Sequence, residues 1–480
     1  MTEKGPIMHD DISGVRLSGR PHAGDGPRYE VVEPATGRPI GHVATGTGRD
    51  AARAVDVAAA ALEEWRTTSV PRRGAVLRAI AGRLRAASGL AETVARETGK
   101  CRREASAELA LAADYFDWYA GLAHTLTDQV LSVRPGLRHH VRTGPIGVAA
   151  VLTPWNFPVS IPARKIAPAL AAGCAVVFKP SELSLLASLA FAELCESELP
   201  EGLLNTVAGD GPEITGAWLD DRRVRLLHFT GSTAVGRSIA RAAGAALTPV
   251  VMELGGRAPF IVLPDADLDD AADTLMVAKF RNNGASCIAA NNVWVHEEVR
   301  AEFLNRLAGR ISALVPGDPL DERTTLGPVR THEMAARLEG LIAALDSAGA
   351  RVHWGRRAEA SGWYVPPALV VDPATDGPEW REEVFGPVAL VRSFTDLKEP
   401  IADASTTAHG LAGYICTGDA AAGAKLLARL DVGIGGVNVA TPATPEIPFG
   451  GRGDSGIGYE GGLPGLLPFL THQSTAVPHP

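Results

Sequence analysis

The sequence predicts an α/β protein with more than one domain, and two observations carry that prediction. The chain has 480 residues, of which 46% are hydrophobic, and a chain of this size builds two or three packed cores rather than one. Between residues 147 and 252, short apolar segments alternate with helical ones. Such strand–turn–helix repeats build a parallel sheet whose turns gather at the carboxyl ends of the strands, where ligands bind.

The first predicted elements follow a tail. Residues 1–27 are rich in Gly, Pro and charge, so we expect them to be flexible and loosely held. Apolar residues at positions i, i+3 and i+4 predict helices over 51–65, 70–87 and 105–122. The polar segment 126–142 alternates loosely around a turn at Pro135-Gly136, which predicts a β-hairpin.

Strands and helices alternate through the rest of the chain. In the first unit the predicted strands are 147–152, 175–178, 203–207, 226–229 and 250–252, with helices over 162–171, 185–199, 212–219 and 234–243. A second α/β unit follows, with predicted strands at 259–263, 291–296, 364–371, 388–394 and 413–417, a helix over 299–314, and a final strand at 469–477.

Charge and cysteine usage argue against several classes of function. The net charge is −9 without blocks of like charge, so nothing favours nucleic acid or an anionic membrane as a partner. The longest apolar run, 166–178, is too short to span a membrane, and the first residues carry no apolar signal core. Five scattered cysteines without a CxxC pair argue for a reducing compartment. We therefore expect a cytoplasmic protein.

Two clusters invite a metal site, and each has a simpler explanation. Four aspartates between residues 265 and 270 precede a helical pattern, where carboxylates cap the helix and favour its dipole. His139 and His140 are neighbours on a predicted strand and point to opposite faces, so they cannot easily bind one metal together. We predict no metal site.

The segment 250–292 carries the strongest candidates for chemistry. Gly284 predicts a tight loop that presents the thiol of Cys287. A thiolate is a strong nucleophile, and Glu253, in the apolar stretch VVMELGG, could activate a water for the second half of a covalent reaction. A lone cysteine is more often a small buried side chain, so this pair alone does not establish an active site.

Further motifs change that balance. The chain contains TPWNFP (153–158), FKPSE (178–182), FTGSTAVG (229–236), ELGG (253–256), the cysteine loop, EEVFGPV (382–388) and PFGG (448–451). In this order they resemble the NAD(P)-dependent aldehyde dehydrogenase superfamily, over nearly the whole chain. The resemblance implies an aldehyde dehydrogenase-like α/β fold with a Rossmann-type cofactor domain, an α/β catalytic domain and a β oligomerisation arm.

The implied organisation divides the chain into four parts. They are the flexible tail (1–27), a cofactor-binding domain (28–125 and 146–255), an oligomerisation arm (126–145 and 469–480) and a catalytic domain (256–468). In this family the arm pairs with the C-terminal strand and with a neighbouring subunit. The resemblance therefore implies self-association as a homodimer or homotetramer.

The resemblance assigns three catalytic residues. Cys287 would attack an aldehyde carbon to form a thiohemiacetal, and Asn156, with the backbone N–H of Cys287, would stabilise the oxyanion. Hydride transfer to a nicotinamide would leave a thioester, which a water activated by Glu253 would hydrolyse to the acid. Burial raises the pKa of a carboxyl group toward the range useful for a base. The competing interpretation of Asn156 is a turn residue, which its motif outweighs.

Twelve residues match positions at which the family binds its cofactor: Thr153, Trp155, Lys179, Ser181, Glu182, Gly209, Gly231, Ser232, Gly236, Leu254, Glu383 and Phe385. Lys179 and Glu182 would lie at the adenosine ribose. A carboxylate there accepts bonds from the ribose diol and repels a 2′-phosphate, which favours NAD, with NADP as the alternative. Gly209, Gly231 and Gly236 would let the backbone approach the pyrophosphate at a helix start.

Two arginines point to an acidic aldehyde. Arg164 and Arg281 match positions where succinate-semialdehyde dehydrogenases hold the substrate carboxylate, which an arginine binds in charge-assisted, often bidentate fashion. Phe157 and Thr444 complete the predicted substrate site, with Thr444 in the region where that subfamily places a hydroxyl. The alternative is that both arginines lie on the surface and the substrate is a neutral or amino aldehyde.

The chain also departs from the family pattern. Ala285 replaces a glutamine, Arg257 and Gly453 each replace a lysine, and Ala289 means that no second cysteine lies beside Cys287. These departures leave the proposed nucleophile, base and oxyanion donor intact.

Two other functions compete with a hydrolytic dehydrogenase. A CoA-acylating enzyme needs no water-activating base, so the presence of Glu253 argues against it. A catalytically silent scaffold protein would tolerate loss of Cys287 or Asn156, and both are present.

Overall fold

The structure, a computed structural model, describes residues 9–375 and 377–479. An eight-stranded and a seven-stranded sheet dominate it, and two three-stranded sheets and a two-stranded ribbon complete the strand pairing of the described residues. No helix in this part of the chain is both long and apolar enough to cross a membrane.

The first described elements are five strands and four helices. They are β1 His9–Ser13, β2 Val15–Leu17, β3 Arg20–His22, β4 Arg28–Glu33, β5 Arg38–Ala44, α1 Gly48–Trp65, α2 Val70–Ala86, α3 Ser88–Thr98 and α4 Arg102–Leu122, with a 3₁₀ turn at Ala123–Thr125. The three helices predicted here are confirmed. A fourth, α3, lies between two of them and ends at Gly99, whose φ of 81° closes the helix.

The β/α alternation predicted for the first unit is confirmed. Its elements, with the arm strands before them, are β6 Gln129–Arg134, β7 Leu137–Pro145, β8 Val148–Leu152, α5 Ser160–Ala172, β9 Ala175–Lys179, a 3₁₀ turn Glu182–Ser184, α6 Leu185–Glu196, β10 Leu204–Val207, α7 Gly211–Asp220, β11 Val224–Thr230, α8 Thr233–Ala246 and β12 Val250–Glu253.

The order of strands in the eight-stranded sheet positions the site. That order is β22-β12-β11-β8-β9-β10-β2-β3, in which β12, β11, β8, β9 and β10 run parallel. Because parallel strands end at the same edge, the segments that follow β8, β11 and β12 come together. Those segments begin at Thr153, Gly231 and Leu254, all of which belong to predicted cofactor motifs.

The remaining elements build the second unit and the C-terminal strand. They are β13 Ala258–Val262, α9 Leu268–Phe280, a 3₁₀ turn Arg281–Gly284, β14 Ala290–His296, α10 Glu297–Ala313, α11 His332–Ser347, β15 Arg351–Trp354, β16 Ala368–Val371, α12 Pro378–Arg381, β17 Val388–Phe394, α13 Lys398–Ser405, β18 His409–Gly410, β19 Ala412–Cys416, α14 Ala420–Leu427, β20 Ile434–Val437, β21 Arg452–Gly453, β22 Gly456–Ile457, a 3₁₀ turn Leu467–Phe469 and β23 Leu470–Pro478.

In the seven-stranded sheet the order is β15-β16-β17-β14-β13-β19-β20, and only β15 runs antiparallel to its neighbour. The strand predicted at 364–371 is shorter than expected and begins at Ala368. Pro366 and Pro367 precede it, and proline cannot donate to a sheet ladder. The sequence analysis did not predict α11, which lies between α10 and β15.

The prediction of a loosely held tail is wrong for residues 9–22. There β2 pairs antiparallel with β10, and β3 folds back on β2. Val15 and Leu17 are 0% and 2% exposed, so they belong to the core of the first sheet. Strands of three residues are too short to show an alternation of apolar and polar side chains. The prediction of a tail therefore rested on the Gly, Pro and charge content of this segment. Residues 1–8 lie outside the described part of the chain.

The predicted hairpin and final strand are confirmed as one three-stranded antiparallel sheet in the order β23-β7-β6. Gly136, with a φ of 76°, makes the turn between β6 and β7. The sheet is exposed, and Val130 and Val133 on β6 are 57% and 68% accessible. The arm therefore presents apolar side chains to its surroundings.

The N-terminal strands predict a measurable contribution to stability. Leu17→Ala removes buried methyl groups from the edge of the eight-stranded sheet, and we expect a loss of about 2–5 kcal/mol in urea unfolding. Val133→Ala, on the exposed arm, is the matched control and should change stability by less than about 0.5 kcal/mol. Equal effects of the two substitutions would show that β2 does not contribute to the core.

Candidate active site

A cavity of about 260 Å³ lies between the strand ends of the first sheet and residues of the second unit. Eight of the predicted site residues line it: Trp155, Asn156, Gly231, Ser232, Leu254, Cys287, Glu383 and Phe385. Residues far apart in the sequence thus meet around one concave surface. Cavities of this kind, apolar with a few convergent polar groups, are the usual form of small-molecule sites.

The loop before Cys287 has an unusual backbone. Asn282, Asn283 and Gly284 have φ values of 54°, 55° and 76°, a left-handed conformation that asparagine tolerates and glycine adopts freely. A Cβ on Gly284 would lie 2.1 Å from the carbonyl oxygen of Gly386. Asn283 holds the loop by donating hydrogen bonds from Nδ2 to the carbonyls of Gly99 and Pro328. The prediction that Gly284 forms a tight loop is confirmed.

Cys287 is the only one of the five cysteines that is not buried, and all five are free thiols. Although the residue as a whole is partly exposed to the cavity, the surrounding protein removes most water from its thiol, which raises the pKa of the thiol to about 12, and Arg164 acts in the opposite direction. The thiol is therefore protonated at neutral pH in the free protein. Because the thiolate is the reactive form, Cys287 becomes a good nucleophile only if binding of substrate and cofactor lowers the pKa of its thiol.

Asn156 is buried, and its backbone and side chain are both held. Its carbonyl oxygen accepts hydrogen bonds from Lys100 Nζ at 2.8 Å and from Asn282 Nδ2 at 3.0 Å. Its own Nδ2 donates to the carbonyl of Ala285 at 3.1 Å. An amide nitrogen has two hydrogens, so one is available to an oxyanion in the cavity that Asn156 and Cys287 both line.

Glu253 ends β12 and is 1% exposed. Neither carboxyl oxygen has a hydrogen-bonding side-chain partner in the described part of the chain. Burial raises the pKa of Glu253 well above its ordinary value, and the nearby charge of Glu460 raises it further, while Lys165 and Arg164 act in the opposite direction. An upward shift of the pKa is what burial of a carboxyl group in an apolar setting produces, and it makes Glu253 harder to ionise in the free protein.

Beside Glu253 lies a cluster of buried charges that the sequence analysis missed. Glu460 is 1% exposed and pairs with Lys165, whose Nζ also donates to Thr230 Oγ1 at 2.7 Å. Oε1 of Glu460 also lies 3.0 Å from Nε2 of the fully buried His228. Burial opposes ionisation of Glu460, but Lys165 and Arg164 outweigh that effect and lower its pKa.

His228 is neutral in this cluster, because burial and the neighbouring Lys165 lower its pKa to about 4. The sequence contains a weak indication of this buried cluster at two of its residues. Lys165 and His228 are polar residues within apolar segments, a helix and a strand respectively, and such residues need a buried partner. Glu460, their partner, lies far along the chain in a Gly-rich loop without any such signal.

The two arginines predicted to bind substrate lie in different settings. Arg164 is buried in α5, with Nε 3.3 Å from Glu460 Oε2 and its guanidinium 4.4 Å from the ring centre of Phe449. Its Nη1 has no hydrogen-bond partner within the described residues. Arg281 is half-buried, with its guanidinium 5.8 Å from the ring centre of Phe157. The surface alternative is therefore wrong for Arg164.

Thr444 lies exposed in the loop between β20 and β21. The hydrogen bond recorded for it is made by its backbone carbonyl, which accepts from the N–H of Ile447. The structure thus does not join Thr444 to either arginine by a direct contact within the described residues, and its role in substrate binding stays a prediction.

Glu383 faces the cavity from the second unit. Its Oε1 accepts a hydrogen bond from the N–H of Gly256 at 3.4 Å. Burial raises the pKa of Glu383 to about 7, while the Gly256 N–H and Lys279 act in the opposite direction. Phe385 meets Trp155 edge to face, with ring centres 5.8 Å apart, so the two aromatic side chains join the two units at this end of the cavity.

The residues predicted at the adenosine end surround the start of α6. Lys179, buried at the end of β9, forms an ion pair with Glu182. Ser181 caps the 3₁₀ turn by accepting a hydrogen bond from the N–H of Leu183. The hydroxyl of Thr153 is buried without a partner in the described residues, so it is available to a ligand.

Gly209 and Gly236 are tightly packed within the protein, and their approach to a pyrophosphate stays a prediction. A Cβ on Gly209 would lie 2.4 Å from the carbonyl oxygen of Gly46, and one on Gly236 would lie 2.4 Å from a methyl group of Leu254. Neither glycine lines the cavity. Their small size is required by packing within the protein, whereas Gly231 does line the cavity.

Two departures from the family pattern have structural partners. The guanidinium of Arg257 donates from Nη2 to both oxygens of Asp403, at 2.9 and 2.8 Å, and from Nε to the carbonyl of Trp380. A planar fork makes these bonds, which an ammonium group could not reproduce. Gly453 has a φ of 58°, and a Cβ there would lie 2.4 Å from the carbonyl of Ala408, so no lysine fits.

The aspartates near residue 267 act as predicted. Asp267 caps α9 by accepting hydrogen bonds from the N–H groups of Asp269 and Asp270. Asp265 accepts from the hydroxyl of Thr417 instead. The described residues contain no cluster of three or more His, Cys, Asp or Glu placed to hold a metal ion.

Comparison with known proteins decides the family. A model described as "Aldehyde dehydrogenase family" matches residues 22–475. The chain belongs to the aldehyde dehydrogenase family. The enzyme is 37% identical over 475 residues to a non-phosphorylating aspartate-semialdehyde dehydrogenase of Halomonas elongata, covering 96% of each chain.

Two further relatives agree. A probable NADP(+) succinate-semialdehyde dehydrogenase of Sinorhizobium fredii is 37% identical over 465 residues, 95% of this chain and 94% of that one. The crystal structure of a succinate-semialdehyde dehydrogenase from Burkholderia pseudomallei superposes with a TM-score of 0.94 at 35% identity, covering 99% of both chains. The predicted family, α/β fold and enzyme class are thereby confirmed.

Aldehyde dehydrogenases use NAD or NADP as hydride acceptor, and the residues present fit such a group. The cavity beside Cys287 is bordered by Gly231 and Ser232 at the N-terminus of the fourteen-residue helix α8, which favours a phosphate. Glu383 adds a carboxyl group to the cavity lining. Thr153, whose buried hydroxyl has no partner among the described residues, directly precedes the lining residue Pro154.

The raised pKa of Cys287 predicts how its reactivity depends on pH. Because that pKa is about 12, the thiolate fraction should grow about tenfold per pH unit between pH 7 and 9. The rate of iodoacetamide labelling of the free enzyme, followed by mass spectrometry, should rise in parallel. Cys287→Ser should lose the label, since the other cysteines are buried. A plateau in rate below pH 9 would contradict the prediction.

Proposed function

We propose that this aldehyde dehydrogenase oxidises a carboxylate-bearing semialdehyde, such as succinic semialdehyde, to the corresponding acid with NAD. The observation that carries the proposal is Arg164, a buried arginine whose Nη1 has no hydrogen-bond partner in the described residues. Burying a guanidinium donor without an acceptor is costly. A substrate carboxylate would supply the acceptor, and arginine is the side chain best suited to bind it.

The neighbours of Arg164 support a binding role. Its charge acts on both Cys287 and Glu253, so a carboxylate held there would keep an aldehyde of a few carbons within reach of the thiol. Arg281, on the loop that leads to Cys287, provides a second cation beside Phe157. The relatives named as aspartate- and succinate-semialdehyde dehydrogenases act on carboxylate-bearing aldehydes by their names.

The catalytic assignment is part of the same proposal, and the position of Cys287 and Asn156 on the lining of one cavity supports it. The sulfur of Cys287 attacks the aldehyde carbon, and Asn156 Nδ2 with the Cys287 N–H stabilises the resulting oxyanion. A nicotinamide dinucleotide bound in the cavity supplies the hydride acceptor. Glu253, once deprotonated, takes a proton from the water that attacks the Cys287 thioester, and the acid leaves as the thiol is restored.

The environment of Glu253 limits when it acts. Its raised pKa means that the carboxyl group is a weak acid in the free enzyme and a strong base once ionised. Lys165 and Arg164 favour the ionised form, so the charges of these two residues promote hydrolysis. We expect this step to become faster with rising pH.

Cofactor preference rests on Glu182. Its carboxylate is paired with Lys179 and is only partly buried, which leaves it able to accept bonds from a ribose diol and repel a 2′-phosphate. We therefore propose NAD as the preferred cofactor, with NADP as the alternative. A cytoplasmic location and self-association through the arm remain part of the proposal, supported by the free cysteines and by the exposed apolar side chains of β6.

The substrate proposal is tested by comparing initial rates on succinic semialdehyde and on butanal, which has the same chain length without the carboxylate. We expect kcat/KM with NAD to favour the acidic aldehyde by at least about tenfold. Arg164→Leu should remove most of that preference. Because Arg164 also pairs with Glu460, the variant will affect both substrates, and the ratio is the decisive quantity. Equal proportional losses on both would refute carboxylate binding by Arg164.

The role of Glu253 is tested by Glu253→Gln, which cannot take a proton from water. We expect a rapid burst of about one NADH per subunit, as the thioester accumulates, followed by slow turnover. Cys287→Ser should abolish both phases. Steady turnover at the wild-type rate in the glutamine variant would require another base.

A further inference from the structure

Helix α4 contacts both loops of the active site through one face. Glu104 and Glu108 are four residues apart near its N-terminus, and residues at this spacing lie one above the other on a helix. Glu108 is 3% exposed, and Glu104 has a carboxyl oxygen buried without a partner among the described residues. Buried carboxylates are costly, so two on one face call for an explanation.

Glu108 holds the loop that contains Asn156. Its Oε1 accepts hydrogen bonds from the N–H groups of Val159 at 2.8 Å and Ser160 at 3.1 Å, at the start of α5. Its Oε2 pairs with Lys100, which is 1% exposed and donates in turn to the carbonyl of Asn156 at 2.8 Å. The loop is thus bonded both at Asn156 and three residues beyond it.

Glu104 holds the loop that leads to Cys287. Its Oε1 accepts a hydrogen bond from the N–H of Asn282 at 3.0 Å. The side chain of Asn282 then donates to the carbonyls of Asn156 at 3.0 Å and Ala285 at 2.8 Å. Asn156 Nδ2 donates to the same Ala285 carbonyl. The two loops are therefore bonded to each other and, separately, to the same helix.

We propose that Lys100, Glu104 and Glu108 are positioning residues that hold Asn156 at a fixed distance from Cys287. None of the three lines the cavity, and they act through the two loops. This inference rests on the oxyanion role proposed above for Asn156. A donor displaced by about 1 Å from the position of the developing charge loses much of its effect, so a loosened loop lowers kcat more than it weakens substrate binding.

The alternative is that these residues serve only the stability of the fold. The chain contains a suitable control in Glu97, another buried carboxylate that accepts hydrogen bonds from two backbone N–H groups at a helix start, those of Leu186 and Ala187. Glu97 is 0% exposed, and its hydrogen bonds go to the start of α6 rather than to either of the two loops. Glu97→Gln and Glu108→Gln therefore make the same chemical change in two places.

The experiment measures kcat at saturating aldehyde and NAD, KM for the aldehyde, thermal unfolding, and the rate of iodoacetamide labelling of Cys287. For Glu108→Gln we expect kcat to fall by about 10- to 100-fold, with KM for the aldehyde and the labelling rate within about threefold of wild type. For Glu97→Gln we expect a comparable loss of thermal stability with kcat within about threefold.

A double variant shows whether Glu108 acts through Asn156. If it does, adding Glu108→Gln to Asn156→Ala should lower kcat by less than about threefold beyond Asn156→Ala alone, because there is no donor left to position. Multiplying losses would overturn the inference, as would equal kcat losses in the Glu97 and Glu108 variants. Wild-type kcat in Asn156→Ala would instead refute the oxyanion assignment itself.

Glu104→Ala is the second variant, in case Glu108→Gln does not fold. Within the described part of the chain Glu104 has no ion-pair partner and one unpartnered oxygen, so its removal also relieves a buried carboxylate. We expect a kcat loss of about 3- to 30-fold that is again absent in the Asn156→Ala background. An unchanged kcat in this variant would exclude Glu104 from the positioning role.

Discussion

The buried ion pair between Lys165 and Glu460 is the interaction on which the chemistry of the site depends. It joins α5 to the Gly-rich loop after β22 across the end of the eight-stranded sheet. Two charges removed from water are tolerated only with good geometry and further hydrogen bonds. Here Lys165 also donates a hydrogen bond to the hydroxyl of Thr230, and Nε2 of His228 lies 3.0 Å from the carboxyl group of Glu460. The pair also sets the electrostatic environment of Glu253, since Glu460 opposes its ionisation and Lys165 favours it.

A third buried charge, that of Arg164, is also stabilised by a neighbouring charge of opposite sign. Arg164 lies within reach of Glu460 and acts on Cys287, so the positive charge that would receive a substrate carboxylate also favours the thiolate. Neutralising Arg164 with a bound carboxylate would weaken that help. If Arg164 binds the substrate carboxylate as proposed, substrate recognition would therefore act against activation of the nucleophile.

Local patterns predicted much of this molecule, and the failures share a physical cause. The β/α alternation, the hairpin at Gly136, the cap at Asp267 and the loop at Gly284 all depend on neighbours in sequence, and all were predicted. Glu460, Lys100 and Glu108 owe their importance to partners that only folding brings close, as in the contact of Lys100 with Asn156. Gly209 was predicted from a cofactor motif, and folding places a further constraint on it that the motif does not show, its close approach to the carbonyl of Gly46. Three-residue strands such as β2 carry too little alternation to be recognised.

The arm has a consequence beyond its place in the fold. The sheet order β23-β7-β6 leaves one backbone edge of β6 and one of β23 without a strand partner in the described residues, and β6 also carries exposed valines. An uncovered edge of this kind accepts a strand from any chain that offers one, correct or not. If the arm mediates the proposed self-association, the edge that pairs correctly is also the one most open to wrong pairing, and covering that edge in the assembly would protect the protein against aggregation.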